Sequence, residues 1–275
     1  MTTIVPKDRT IAALSEVWAS TTDLLVGLDQ GQWSLPSPLP GWSVQDNVAH
    51  MVGTEAMLLG IANPEVDIDR DALTHVRNDI GAFNEVWVEH LRAKPPHEVL
   101  SLFEEYTGAR LAVLASMTAD EWDAESFTPA GPDSYGRFMQ IRVFDCWLHE
   151  QDIRDAVGRA GHQSGLAVDV TLNEMSMAMG FVIGKRAGVV EGQSVTFALT
   201  DHGSIVRTIH VAVEGRAAVV PDLDGTATAT ITLPVGVMTR RCAGRVAAHE
   251  VRDQIELAGD IELGEAVLGA LSYTI

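Results

Sequence analysis

Arg137-Phe-Met-Gln-Ile-Arg-Val-Phe-Asp145-Cys-Trp-Leu-His149-Glu-Gln-Asp152-Ile-Arg154 is the stretch on which the reading turns. On a helix, residues three, four and seven apart share a face. Asp145, His149 and Asp152 therefore form one stripe with Phe138, Ile141, Leu148 and Ala156. Two carboxylates and an imidazole fall in the middle of an apolar, core-facing side. Burying charge there is costly unless something pairs with it. A cation held between helices would offset that cost. Asp145 and His149, one turn apart, are spaced to ligate one metal ion. Asp152 is placed to orient His149 or to hold a water.

A third ligand has to come from another helix. His50, in Gly41-Trp-Ser-Val-Gln-Asp-Asn-Val-Ala-His50-Met-Val-Gly53, is the best placed. Glu55, projecting among Val44, Val48, Met51 and Leu58, could replace or support a ligand. Two imidazoles and one carboxylate leave an open coordination position, the arrangement of a catalytic site, with zinc as the default ion. The competing reading is that the histidines are ordinary hydrogen-bonded core residues and the Asp–His spacing a surface contact. Cys146 lies off the stripe and Cys242 is isolated, so both are expected to be packing residues.

Working outward, apolar spacing predicts a helix over 9–29. Ser43-Val-Gln-Asp46 then fits a capping box opening a second helix to about residue 61. Further helices are expected over about 68–92, 97–117 and 136–158, together an up-and-down bundle. The second half mixes elements. A helix is expected over 166–187, a hairpin over 193–213 turning at Asp201-His-Gly, and a strand over 226–233. Helices should follow at 234–240 and 261–271. The polar, glycine-rich run 158–165 marks the boundary, giving a helical domain 1–163 and a small α+β domain 164–275. The fold class is α+β.

Composition narrows the partners. The chain of 275 residues has 19 Lys and Arg against 38 Asp and Glu, a net charge of −19. Residues 1–163 carry −14 of this, and all six Trp lie before residue 150. Such acidity argues against nucleic acid and against an anionic membrane surface as partners. No uncharged apolar run of spanning length and no secretory signal is visible. A soluble cytoplasmic protein, monomer or homodimer, is expected.

At these residues the sequence resembles the mycothiol-dependent maleylpyruvate isomerase family, within the DinB-like metal-binding four-helix bundles. Leu39-Pro-Gly-Trp-Ser-Val-Gln-Asp-Asn-Val-Ala-His50 resembles its first ligand helix, and Phe144-Asp-Cys-Trp-Leu-His-Glu-Gln-Asp-Ile-Arg154 its second. The resemblance covers most of the chain. It implies metal ligands at His50, Asp145 and His149, mycothiol as thiol cosubstrate, and a sterol-carrier-like C-terminal domain. The family isomerase has glutamate where Asp145 stands. Met238-Thr-Arg-Arg-Cys-Ala-Gly-Arg245 resembles a segment from which an arginine reaches a carboxylate. That implies Arg245, or Arg241 one turn earlier, as catalytic residues beside Asp152. Trp42, Arg77 and Asn78, the last two placed on the third helix, are the expected cofactor-binding residues.

The leading expectation is a metal-dependent, mycothiol-using thiol transferase or isomerase acting on a small electrophile. One alternative is a hydrolase using metal-bound water on the same bundle. The other is a non-catalytic small-ligand binding protein.

Overall fold

The computed structural model describes residues 2–69, 73–76 and 78–274. They divide into two compact units. One is Met1–His162 with Leu166–Val170, the other Gln163–Gly165 with Thr171–Ile275.

The first unit is helical. Its long helices are α1 (Lys7–Val26), α3 (Val44–Leu58), α4 (Asp79–Arg92), α5 (Pro96–Ser116) and α7 (Tyr135–Val157). Two short ones intervene, α2 (Gln30–Trp33) and α6 (Ala119–Asp123), with a two-residue ribbon of β1 (Glu125–Ser126) and β2 (Asp133–Ser134). Helices α1 and α3 each pack against both α5 and α7, closing a four-helix ring, and α4 lies on α3. Ser43 and Asp46 form the expected capping box on α3. Twelve of its fifteen residues are buried, so this helix is the middle of the unit. At Gly53 a Cβ would stand 2.5 Å from Trp87, so the α3–α4 contact depends on a missing side chain there.

The helix expected over 68–92 is shorter, beginning at Asp79. Residues 70–72 and 77 lie outside the described residues, and 61–69 are not helical. Asn78 supplies the cap by accepting the Gly81 N–H at 2.8 Å. Helix α7 starts on Ser134, whose Oγ accepts the Arg137 N–H at 3.0 Å, and ends on left-handed Gly158.

The second unit carries a five-stranded sheet in the order β5-β4-β3-β6-β7. Its strands are β3 (Ser194–Asp201), β4 (Ser204–Glu214), β5 (Arg216–Val220), β6 (Ala229–Pro234) and β7 (Glu256–Gly259). The β3–β4 hairpin turns at His202 and Gly203, both at positive φ, as the sequence predicts. Strand β6 runs parallel to β3, and the remaining pairs are antiparallel. The short β5 and β7 have no clear alternation and escape sequence reading. Helices α9 (Val235–Cys242) and α10 (Ile261–Ala270) pack on the sheet, burying Phe197, Ile231, Met238 and Leu268.

Helix α8 (Leu166–Phe181) continues as a π-turn to Arg186. Over Leu166–Arg186 it is the one described helix long and apolar enough to cross a membrane, though half of that window is buried within the protein. Its Gly180 lies against β5, where a Cβ would come 2.8 Å from the Ala217 carbonyl. That contact gives its apolar composition a use as a core helix.

Candidate metal centre

Helices α3 and α7 bring His50, Asp145 and His149 together. One donor atom from each lies within 4.8 Å of the others. His50 Nε2 stands 3.2 Å from Asp145 Oδ2, and His149 Nε2 stands 3.5 Å from Asp145 Oδ1. The imidazole centroids are 4.6 Å apart, edge to face. Both histidines are buried, while the Asp145 side chain keeps 30% of its surface exposed. The expectation of Asp145 in the core is corrected here: it sits at the rim, where the centre meets solvent.

Hydrogen bonding fixes how these groups point. Asn47 Nδ2 donates to the Ser43 carbonyl at 2.8 Å, which turns its Oδ1 toward His149 Nδ1, also at 2.8 Å. The Asn47 contact thus places a proton on His149 Nδ1 and leaves Nε2 facing a carboxylate oxygen of Asp145. A ring nitrogen facing a carboxylate is satisfied by a proton or a cation between them. Asp152, expected to orient His149, is buried but 3.7 Å from Nδ1, so the shorter bond belongs to Asn47. His50 Nδ1 is buried without a hydrogen-bond partner.

Electrostatics prepare the same groups. Burial pushes the His50 pKa down against the opposing pull of Asp145, keeping the imidazole neutral and able to donate a lone pair. Burial would raise Asp145, but its interactions with His149, His50 and Arg142 outweigh burial and hold the carboxyl well below the usual range. The residues present thus fit a divalent cation: two imidazoles and one carboxylate converge with a donor atom each.

Glu55 is not a ligand. Its Oε1 accepts from Arg142 at 2.8 and 3.0 Å and its Oε2 from Arg110 at 3.1 Å, all buried. Arg142 also donates to Asp145. Trp42 lies beside both imidazoles, with ring centroids at 5.4 and 5.8 Å. Its indole N–H donates to buried Glu85 at 2.7 Å, and the same oxygen is 2.8 Å from His75 Nε2.

A family model, "Mycothiol maleylpyruvate isomerase N-terminal domain", matches residues 14–154, which contain this whole centre. The chain belongs to that family. Among solved structures, mycothiol-dependent maleylpyruvate isomerase matches across 92% of this chain and 93% of its own, at 17% identity and a TM-score of 0.54. A histidine-to-alanine mutant of the same enzyme matches at the same identity and coverage with a TM-score of 0.56. The fold of both units, helical then sheet, is therefore that of the isomerase. Two uncharacterized proteins of Mycobacterium tuberculosis are each 26% identical over 135 residues, 49% of this chain and 51% of theirs. The chain spans about half the length of these curated relatives.

The other expected site residues of this maleylpyruvate isomerase family member are distributed as follows. Asn78 precedes its helix and spends its side-chain oxygen on the cap, which corrects its placement within the helix. Arg77 lies outside the described residues. In the second unit, Arg241 is buried and donates to the carbonyls of Val246 and of Leu268, the latter at 2.7 Å. Arg245 is half-buried and donates to the Ala243 carbonyl at 2.8 Å. Cys146 accepts from Trp18 and Arg142 at 3.3 Å, and burial pushes its thiol up to about 12, as for Cys242. Neither thiol is built as a nucleophile.

Asn47, Arg142 and Glu85 were missed from sequence. Asn47 and Arg142 stand three residues before His50 and Asp145, so helical spacing could have found them. Glu85 had no such signal, because it meets Trp42 through tertiary contact alone.

Proposed function

We propose that the protein is a metal-dependent, mycothiol-using thiol transferase or isomerase acting on a small electrophile in the cytoplasm. The observation that carries this is the convergence of His50 Nε2 and His149 Nε2 on Asp145, at 3.2 and 3.5 Å, in a chain of the mycothiol maleylpyruvate isomerase family. His50, Asp145 and His149 would hold the ion, with zinc the default for this donor set. A bound divalent ion supplies Lewis acidity that makes a thiol a thiolate at neutral pH. The chain's own residues do the rest. Asn47 keeps His149 in its donating tautomer. Trp42, held by Glu85, walls one side of the imidazole pair. Asp145, with 30% of its side chain exposed, leaves one edge of the centre open to solvent.

Turnover of an electrophilic probe by the zinc-loaded protein, with and without mycothiol, tests this. Turnover that requires the thiol supports the proposal. Equal hydrolysis without thiol transfers the centre to metal-activated water, and no turnover under either condition leaves only a binding role.

A further inference from the structure

We infer that Arg142 is a positioning residue that makes Asp145 a one-oxygen donor to a cation. The inference rests on the metal reading above and concerns how the ligand is presented. Arg142 is 3% exposed and spans two carboxylates. Its Nε and Nη2 donate to Glu55 Oε1 at 3.0 and 2.8 Å, and its Nη1 donates to Asp145 Oδ2. Nη2 also lies 3.3 Å from Cys146 Sγ. Glu55 is itself 1% exposed and held from its other oxygen by Arg110.

The guanidinium is therefore clamped on its far edge by a carboxylate that cannot move. A planar fork fixed in this way presents its remaining N–H in one direction. That direction is Asp145 Oδ2. The other oxygen, Oδ1, faces His149 Nε2 at 3.5 Å. An unrestrained aspartate can chelate a cation through both oxygens. Here Oδ2 already carries a charged hydrogen bond from Arg142, as well as lying 3.2 Å from His50 Nε2, so Oδ1, which Arg142 leaves open, is the oxygen assigned to the ion. Glu55, Arg110, Arg142 and Asp145 also form a neutral quartet, so the bridge leaves no buried charge unmatched. Using one oxygen in place of two keeps a coordination position for an incoming ligand.

Cobalt(II) is the probe, because its visible absorption is strong in four-coordinate sites and weak at higher coordination. The wild-type protein should bind one cobalt with intense bands. Arg142→Gln should still bind cobalt, with bands weakened several-fold as the freed Asp145 chelates through both oxygens. Arg142→Lys, which keeps a charged donor, should recover part of the intensity. Equal spectra in wild type and Arg142→Gln overturn the inference. The infrared difference spectrum of the wild-type protein with and without zinc needs no variant. A wide carboxylate splitting marks one-oxygen binding and supports the inference, and a narrow, chelating splitting overturns it. Failure of cobalt to bind the wild type, or full binding by His50→Ala, instead removes the metal reading underneath.

Discussion

At the scale of single residues, the decisive contact is the one from Asn47 to His149. It assigns the proton to Nδ1 and turns an Asp–His pair into a donor pair facing one point. Outer hydrogen bonds of this kind set metal affinity, and their loss typically costs about 10–100-fold. Asn47→Ala should therefore weaken zinc binding by roughly that factor in chelator competition, with the fold retained. Unchanged affinity would show that the tautomer is set by Asp152 instead. The three proposed ligands were legible in the sequence because they sit at helical spacing within two quotable motifs. The real partner of His149 was legible only in principle. Both Asn47 and Asp152 are at plausible positions, and a difference of about an ångström between helices decided it.

At the scale of elements, three helices are joined by one buried carboxylate. Glu55 on α3 takes Arg110 from α5 and Arg142 from α7, all nearly inaccessible. Removing one partner of such a pair leaves an uncompensated buried charge and typically costs about 3–5 kcal/mol. Arg110→Ala should show a loss of that order in urea denaturation. A loss under about 1 kcal/mol, the range of an exposed pair, would mean the pair is solvated in solution. Sequence reading found Glu55 on the core side of α3, able to replace or support a ligand. It could not see the two guanidiniums, because their contacts are separated by 55 and 87 residues. Helix boundaries were readable wherever a cap or a proline stood, as at Ser43, Pro96 and Gly158. The boundary failed before α4, where acidic residues extend the apparent helix and Asn78 stops it.

At the scale of the molecule, the −19 charge excluded partners without naming one, and most of those acids are exposed. A few are structural. His162, at positive φ, stands between buried Glu150 at 2.7 Å and Glu16 at 3.2 Å. Burial would lower its pKa, but the two carboxylates outweigh burial and raise it above the ordinary value of 6.5. The stability it contributes is therefore complete below about 6.5, the unfolded value, and is lost as pH rises through the higher folded value. The stability difference between wild type and His162→Gln should shrink over that window, and a difference that grows with pH would reverse the assignment. The central claim is that His50, Asp145 and His149 hold one divalent ion. Its most direct test is the zinc content of purified wild type, His50→Ala and His149→Ala after dialysis against a weak chelator. The account predicts one zinc per wild-type chain and loss of nearly all of it in both variants. Full occupancy in both variants would contradict it.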